Sequence, residues 1–191
     1  MKLEEFIHVC QILSMRPMEA TSILSNYREQ ENTLIECTSF IQSDNIDLNI
    51  LFQACLILQY SFLKHWNQIT NEYKQELENI ILILIYKLHL QTNNNNFVIN
   101  KMIEIYILIY KHGWPDMNNQ QRSILFDKMN SFLTQSNPQS ILTGIYILYT
   151  TFILIRPCFY YIPLFIMLLL RILMSIFIQS VCITSNTHTY T

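Results

Sequence analysis

The side chains able to do chemistry were considered first. The histidines are His8, His65, His89, His112 and His188. No two share metal-ligand spacing with each other or with a cysteine. His8 and Cys10 are two residues apart, which puts them on different faces of a helix. Glu4-Glu5 and Glu76/Glu78 are the only carboxylate pairs worth weighing for acid–base work. Both sit early in predicted helices, where acids complement the helix dipole. His65, His89 and His112 fall near predicted helix C-termini, where the dipole favours positive charge. There is no HExxH, P-loop, GxGxxG or GxSxG pattern. These readings leave no catalytic group, no metal site and no cofactor, so an enzyme is not expected.

The cysteines, Cys10, Cys37, Cys55, Cys158 and Cys182, form neither a CxxC pair nor an even framework. They read as small buried hydrophobes. No signal peptide is expected, because Lys2, Glu4 and Glu5 occupy the place of an apolar leader core. There is also no N-x-S/T acceptor. A reducing, cytosolic or nuclear setting follows. All 14 acids and 10 of the 12 basic residues precede Phe152, which makes that part −4 and the rest +2. An acidic body offers no electrostatic footprint for nucleic acid.

The elements that must position any site are helices. With 2 glycines and 5 prolines in 191 residues, the chain lacks the turn formers of an all-β protein. Apolar periodicity predicts helices over about 3–14, 17–29, 32–42, 48–66, 71–89, 97–112 and 119–134, with an eighth opening at Pro138. Met15-Arg16-Pro17, Ser43-Asp44-Asn45, Asn67–Asn71, the Thr92–Asn96 tract and Ser136-Asn137-Pro138 are the breaks. Ser43-Asp44-Asn45 carries capping chemistry for the fourth helix. Gly113-Trp114-Pro115-Asp116 reads as a glycine stop followed by a proline bar. The run Ile80–Tyr86 is apolar all round, which predicts burial on several sides. Trp66 and Trp114 read as packing residues at helix ends.

Eight helices taken in pairs have the layout of an α-solenoid of stacked hairpins. A single helical bundle is the alternative. Polar residues line the even-numbered helices: Glu19, Ser22, Asn26 and Glu29; Asn49, Gln53, Tyr60 and Lys64; Asn100, Glu104 and Lys111. Stacked hairpins would set these lines side by side, either as a solvated face or as a partner-binding groove.

Several stretches then carry a resemblance. ILSNYRE, IECTSFIQSDNIDLNILFQACLILQYSFLKHW, YKHGWPD and SNPQSILTGIYIL occur in that order. Together they resemble the N-terminal HEAT repeats of the importin-β/exportin superfamily, in the exportin-4 branch with exportin-7 next. LFQA followed by an apolar helix ending in Lys-His-Trp is the most telling piece. The likeness covers residues 1–151 and implies an all-α, HEAT-type helical-hairpin solenoid. It implies a nuclear export receptor that shuttles between cytoplasm and nucleus. The implied partners are the small GTPase Ran in its GTP form, protein cargo and nucleoporins. It places Ran contact on the inner, second helices, with Gln53, Tyr60, Lys64, Asn100 and Glu104 as the facing candidates.

Residues 152–191 depart from that pattern. Cys158 to Ile178 is long enough and apolar enough for one membrane span. Pro163 and Arg171 lie within it, and Arg costs at least about 2.5–3.5 kcal/mol near a span centre. Seven or more large aliphatics, at about 0.3–0.6 kcal/mol each, can outweigh that cost. The favoured expectation is a segment foreign to the fold, from an incomplete gene model or a retained intron. The alternative is a genuine anchor, making the protein a tail-anchored helical adaptor that binds a protein partner.

Overall fold

The computed structural model describes residues 1–89, 96–134, 140–141, 143–145 and 147–148. They are helical apart from turns and short connections, and no strand occurs among them. The elements are α1 (Leu3–Ile12), α2 (Pro17–Tyr27), α3 (Thr33–Ile41), α4 (Leu48–His65), α5 (Asn71–His89), α6 (Asn96–Gly113), a 3-10 turn (Trp114–Asp116) and α7 (Asn119–Leu133). Ser140, Ile141, Thr143–Ile145, Ile147 and Leu148 are also helical, in the region where an eighth helix was predicted. The expected span at 158–178 lies outside the described residues, as does the expected domain boundary at 151/152. Among the described residues, no helix is long and apolar enough to cross a membrane.

Local chemistry accounts for most of the boundaries. Pro17 opens α2 at its first position, where its missing N–H costs nothing. The cap of α4 is Asp47, whose side chain accepts from the Asn49 N–H at 2.8 Å. The expected cap region was Ser43–Asn45, one turn too early. Asn45 instead takes a left-handed backbone with φ 59°, which asparagine tolerates. Asn118 and Gln121 form a reciprocal capping box at the start of α7, each bond 2.9 Å.

Gly113 ends α6 but does not act as a left-handed stop. Its φ and ψ of −80° and −20° are right-handed, and the chain tightens directly into the 3-10 turn containing Pro115. Proline, which lacks an N–H to continue the ladder, therefore does the terminating.

The chain divides into two compact units, Met1–His112 and Gly113–Thr191. In the first unit, side-chain contacts join each helix to several others. The odd helices neighbour one another: Phe6 packs on Phe40 at 5.1 Å, and the Thr38 and Tyr73 hydroxyls share a hydrogen bond of 2.7 Å. Lys87 of α5 meets Asp44, just after α3, at 2.9 Å. The even helices do likewise. Tyr60 and Lys64 of α4 reach the turn after α2, while Phe52 of α4 meets Phe97 of α6 edge-on at 5.4 Å. In addition, α1 packs on both α2 and α4, α3 packs on α4, and Tyr110 of α6 donates to Glu78 of α5.

Burial follows from this arrangement. Phe6, Tyr27, Cys37, Leu58, Phe62, Leu77, Ile81, Ile85, Met102 and Tyr106 lose nearly all contact with water. The run Ile80–Tyr86 is not buried all round as expected. Ile80, Ile81 and Ile85 are buried, but Ile83 is 65% and Tyr86 48% exposed. A helix with neighbours on some sides only must show residues to solvent when its apolar run is longer than its buried stripe.

In the second unit, α7 buries Leu125, Met129, Phe132 and Leu133. A Cβ on Gly144 would lie 2.8 Å from Leu133 Cδ2 and 3.0 Å from Phe132 Cβ. Glycine is what permits that approach. Trp114 is buried, with the Arg122 guanidinium over its ring at 5.0 Å. Arg122 also donates to the Trp114 carbonyl at 3.1 Å. The packing role predicted for this indole agrees with its burial.

Candidate partner-binding face

In the first unit, some polar residues of the even-numbered helices meet: Tyr60 and Lys64 of α4 at Glu29, and Lys101 of α6 at Gln59 of α4. Tyr60 and Lys64 are one turn apart on α4, so they share a face. The opposite side of that turn is anchored by buried Leu58 and Phe62. The Tyr60 hydroxyl donates to Glu29 Oε1 at 2.6 Å, and Lys64 Nζ donates to Glu29 Oε2 at 2.6 Å. Arg28 Nε lies 3.4 Å from Glu29 Oε1, with its guanidinium over the Tyr60 ring at 4.4 Å. The polar lines of α2 and α4 thus meet at one carboxylate.

Electrostatics follow the geometry. The hydrogen bond from Lys64, then that from Tyr60, pulls the Glu29 carboxyl down to about 2. Reciprocally, the bond to Glu29 raises the Tyr60 phenol and the Lys64 ammonium. A depressed carboxyl stabilises the fold above its unfolded pKa, near 4.3, and that contribution is lost as pH falls toward about 2. The difference in thermal midpoint between the wild type and Glu29→Gln is therefore expected to shrink between about pH 5 and pH 2. A constant difference across that window would show that the carboxylate charge is not involved.

On the α4–α6 side, Lys101 donates to Glu104 and to Gln59 Oε1, the latter at 3.3 Å. Of the five residues proposed from sequence, Tyr60 and Lys64 converge on Glu29, and Glu104 is joined to α4 through Lys101. Gln53 is half-buried and Asn100 exposed. Tyr60, Lys64 and Glu104 are held by intramolecular bonds rather than left free.

Arg28, Gln59 and Lys101 were missed. The Lys101–Glu104 pair had a local signal in its three-residue spacing. The Glu29 contacts had none, because 31 and 35 residues separate the partners.

Other candidates resolve differently from expectation. His89 and His112 are not favoured as cations. Burial lowers both, and Lys111 lowers His112 further. His112 stacks on Trp66, with centroids 5.4 Å apart, and Lys74 lies 3.9 Å from the centre of the same indole. Glu78, expected to complement the dipole early in its helix, lies beyond the first turn of α5, which starts at Asn71. It is 7% exposed and accepts from Tyr110, whose phenol is pushed up first by burial and then by Tyr106 and Glu78.

Burial also raises the Cys10 thiol to about 11 and the Cys37 and Cys55 thiols to about 12. They stay protonated at neutral pH and are poor nucleophiles. Among the described residues, no group of three or more His, Cys, Asp or Glu could hold a metal ion.

A cluster that sequence reading did not see ties the N-terminus down. The Met1 ammonium reaches Glu36 Oε2 at 2.7 Å, and the Tyr27 hydroxyl reaches the same oxygen at 2.8 Å. Burial pushes the Glu36 carboxyl up, but these two bonds outweigh it and leave the group below its ordinary value.

Compared with protein-family models, curated proteins and solved structures, the chain matches none.

Proposed function

We propose that the chain is the N-terminal part of a HEAT-type transport receptor, acting by binding and not by catalysis. In this reading the α2–α4–α6 face receives Ran in its GTP form, with cargo and nucleoporins as the further partners of the whole receptor. The observation that supports it is the set of contacts α1–α3, α3–α5, α2 turn–α4 and α4–α6 in the first unit, together with packing of α1 on α2 and α4 and of α3 on α4. Stacked hairpins align their second helices into one extended face of the kind used to grip protein partners. In this reading the polar residues of α2, α4 and α6 would lie on that face.

The test is a combined variant carrying Gln53→Ala, Tyr60→Ala, Lys64→Glu, Asn100→Ala and Glu104→Lys. Affinity for Ran-GTP, measured by calorimetry, is expected to fall at least about tenfold, the loss from one or two residues that matter at an interface. Binding of Ran-GDP should stay weak in both proteins. Unchanged Ran-GTP affinity in a variant that melts as the wild type does would remove the reading.

A second reading rests on the sequence of Cys158 to Ile178, whose length and apolarity suit one membrane span. The helical body would then be a tail-anchored adaptor using the same face for a different protein. Carbonate-resistant pelleting of the full chain distinguishes it from a receptor that stays in the detergent-free supernatant.

A further inference from the structure

The cluster around Glu29 differs from an ordinary surface ion pair in where its parts are mounted. The donors Tyr60 and Lys64 stand on α4, an 18-residue helix whose other side is locked into the core by Leu58 and Phe62. The acceptor does not share that support. Glu29 lies beyond the end of α2 in a turn, with its side chain 46% exposed. Two donors close on this one carboxylate, the Tyr60 hydroxyl and Lys64 Nζ, each at 2.6 Å, and Arg28 Nε forms an ion pair with it at 3.4 Å. Lys64 also lies 3.5 Å from the Glu29 carbonyl.

A phenol and an ammonium fixed on a rigid helix, with a guanidinium stacked beside them, make a receptor for a carboxylate. A carboxylate on an exposed turn is the exchangeable part. Charge points the same way. With Glu29 withdrawn, Arg28 and Lys64 leave two positive charges and a phenolic donor without their acceptor, on a face open to solvent.

We propose that Arg28, Tyr60 and Lys64 form a carboxylate-binding site for an acidic segment of a partner protein, and that Glu29 is its internal stand-in. The partner's Asp or Glu side chain displaces Glu29, takes the Tyr60 and Lys64 hydrogen bonds, and leaves the Glu29 carboxylate to water. The internal acid thereby sets a threshold. Segments with a single weakly placed carboxylate lose to Glu29, and segments presenting several in succession win by re-binding. This rests on reading the even-helix face as a partner surface, but not on the partner being Ran.

The probe is a fluorescein-labelled oligoglutamate peptide, with oligoglutamine of equal length as control. Binding is followed by anisotropy at low salt, where screening is weak. The full chain is used, in non-ionic detergent because of its apolar 152–191 stretch. Glu29→Gln and Glu29→Ala are each expected to tighten oligoglutamate binding about two- to five-fold, the range set by losing one exposed competing ion pair. Adding Tyr60→Phe and Lys64→Met to either should abolish the gain.

Three results would overturn the proposal: no tightening in either Glu29 variant, a gain that survives loss of Tyr60 and Lys64, or equal binding of oligoglutamine. Ran-GTP affinity measured on the same proteins separates the two readings. The expected peptide pattern without any Ran-GTP binding keeps the carboxylate site and removes the transport reading. Ran-GTP binding without the peptide pattern does the reverse.

Discussion

Phe6→Ala is expected to destabilise the first unit by about 3–5 kcal/mol, the usual cost of emptying a fully buried phenylalanine site. Phe6 is 0% exposed and its ring meets Tyr27 of α2 at 6.1 Å and Phe40 of α3 at 5.1 Å. One side chain thus joins three helices, and neither neighbour can collapse into the void without breaking another contact. Tyr27 is held by its hydroxyl bond to Glu36, and its carbonyl accepts from Thr33 Oγ1 at 2.6 Å.

Total stability of a domain is only about 5–15 kcal/mol, so this substitution removes a large share of it. Urea unfolding followed by far-ultraviolet circular dichroism should show the midpoint move sharply at an unchanged slope. A loss below about 1 kcal/mol would mean that α1 is not part of the cooperative core.

The second large effect is expected at the buried contact between α5 and α6. Tyr110→Phe removes the hydroxyl that donates to Glu78, where the tyrosine is 4% and the glutamate 7% exposed. A buried hydrogen bond to a carboxylate contributes about 1.5–3 kcal/mol, and its loss should appear in full because no volume changes elsewhere. Glu78→Gln should cost less, since an amide oxygen still accepts from Tyr110. In a double-mutant cycle the two changes should be non-additive by at least about 0.5 kcal/mol. Additive losses would show that Tyr110 and Glu78 act on stability independently.

These two sites also mark how much of the molecule was legible in the residues alone. The helix boundaries were, because they depend on neighbours within a few positions. Asn71–His89 and Leu48–His65 match the predicted spans to within a residue, since apolar period, Pro17 and the polar breaks are local signals. The exceptions are also local. The fourth helix is capped by Asp47 and not within Ser43–Asn45, because several adjacent residues could cap equally well and the register of the turn decides.

The role of Glu78 was not legible. Its position early in the predicted helix suggested an acid complementing the dipole, and only the approach of Tyr110, 32 residues later, makes it a buried acceptor. The exposed faces were misjudged for the same reason. Ile83 lies in an unbroken apolar run, yet nothing in that run says which side lacks a neighbour.

The polar face was half legible. Periodicity placed Tyr60 and Lys64 on one line of α4 and Glu29 on the line of α2. That they share a single carboxylate, and that Arg28 completes the group, depends on how α2 and α4 lie against each other. By itself the sequence determined that the described residues are helical, to within about two residues where the helices begin and end, and which stripe of each is apolar. Those properties come from backbone sterics, capping and a period of 3.6 residues, all local. Tertiary structure alone decided which acids are buried, that Tyr60 and Lys64 share the Glu29 carboxylate and which apolar residues remain in water. Those outcomes turn on contacts between residues tens of positions apart, and no local pattern encodes them.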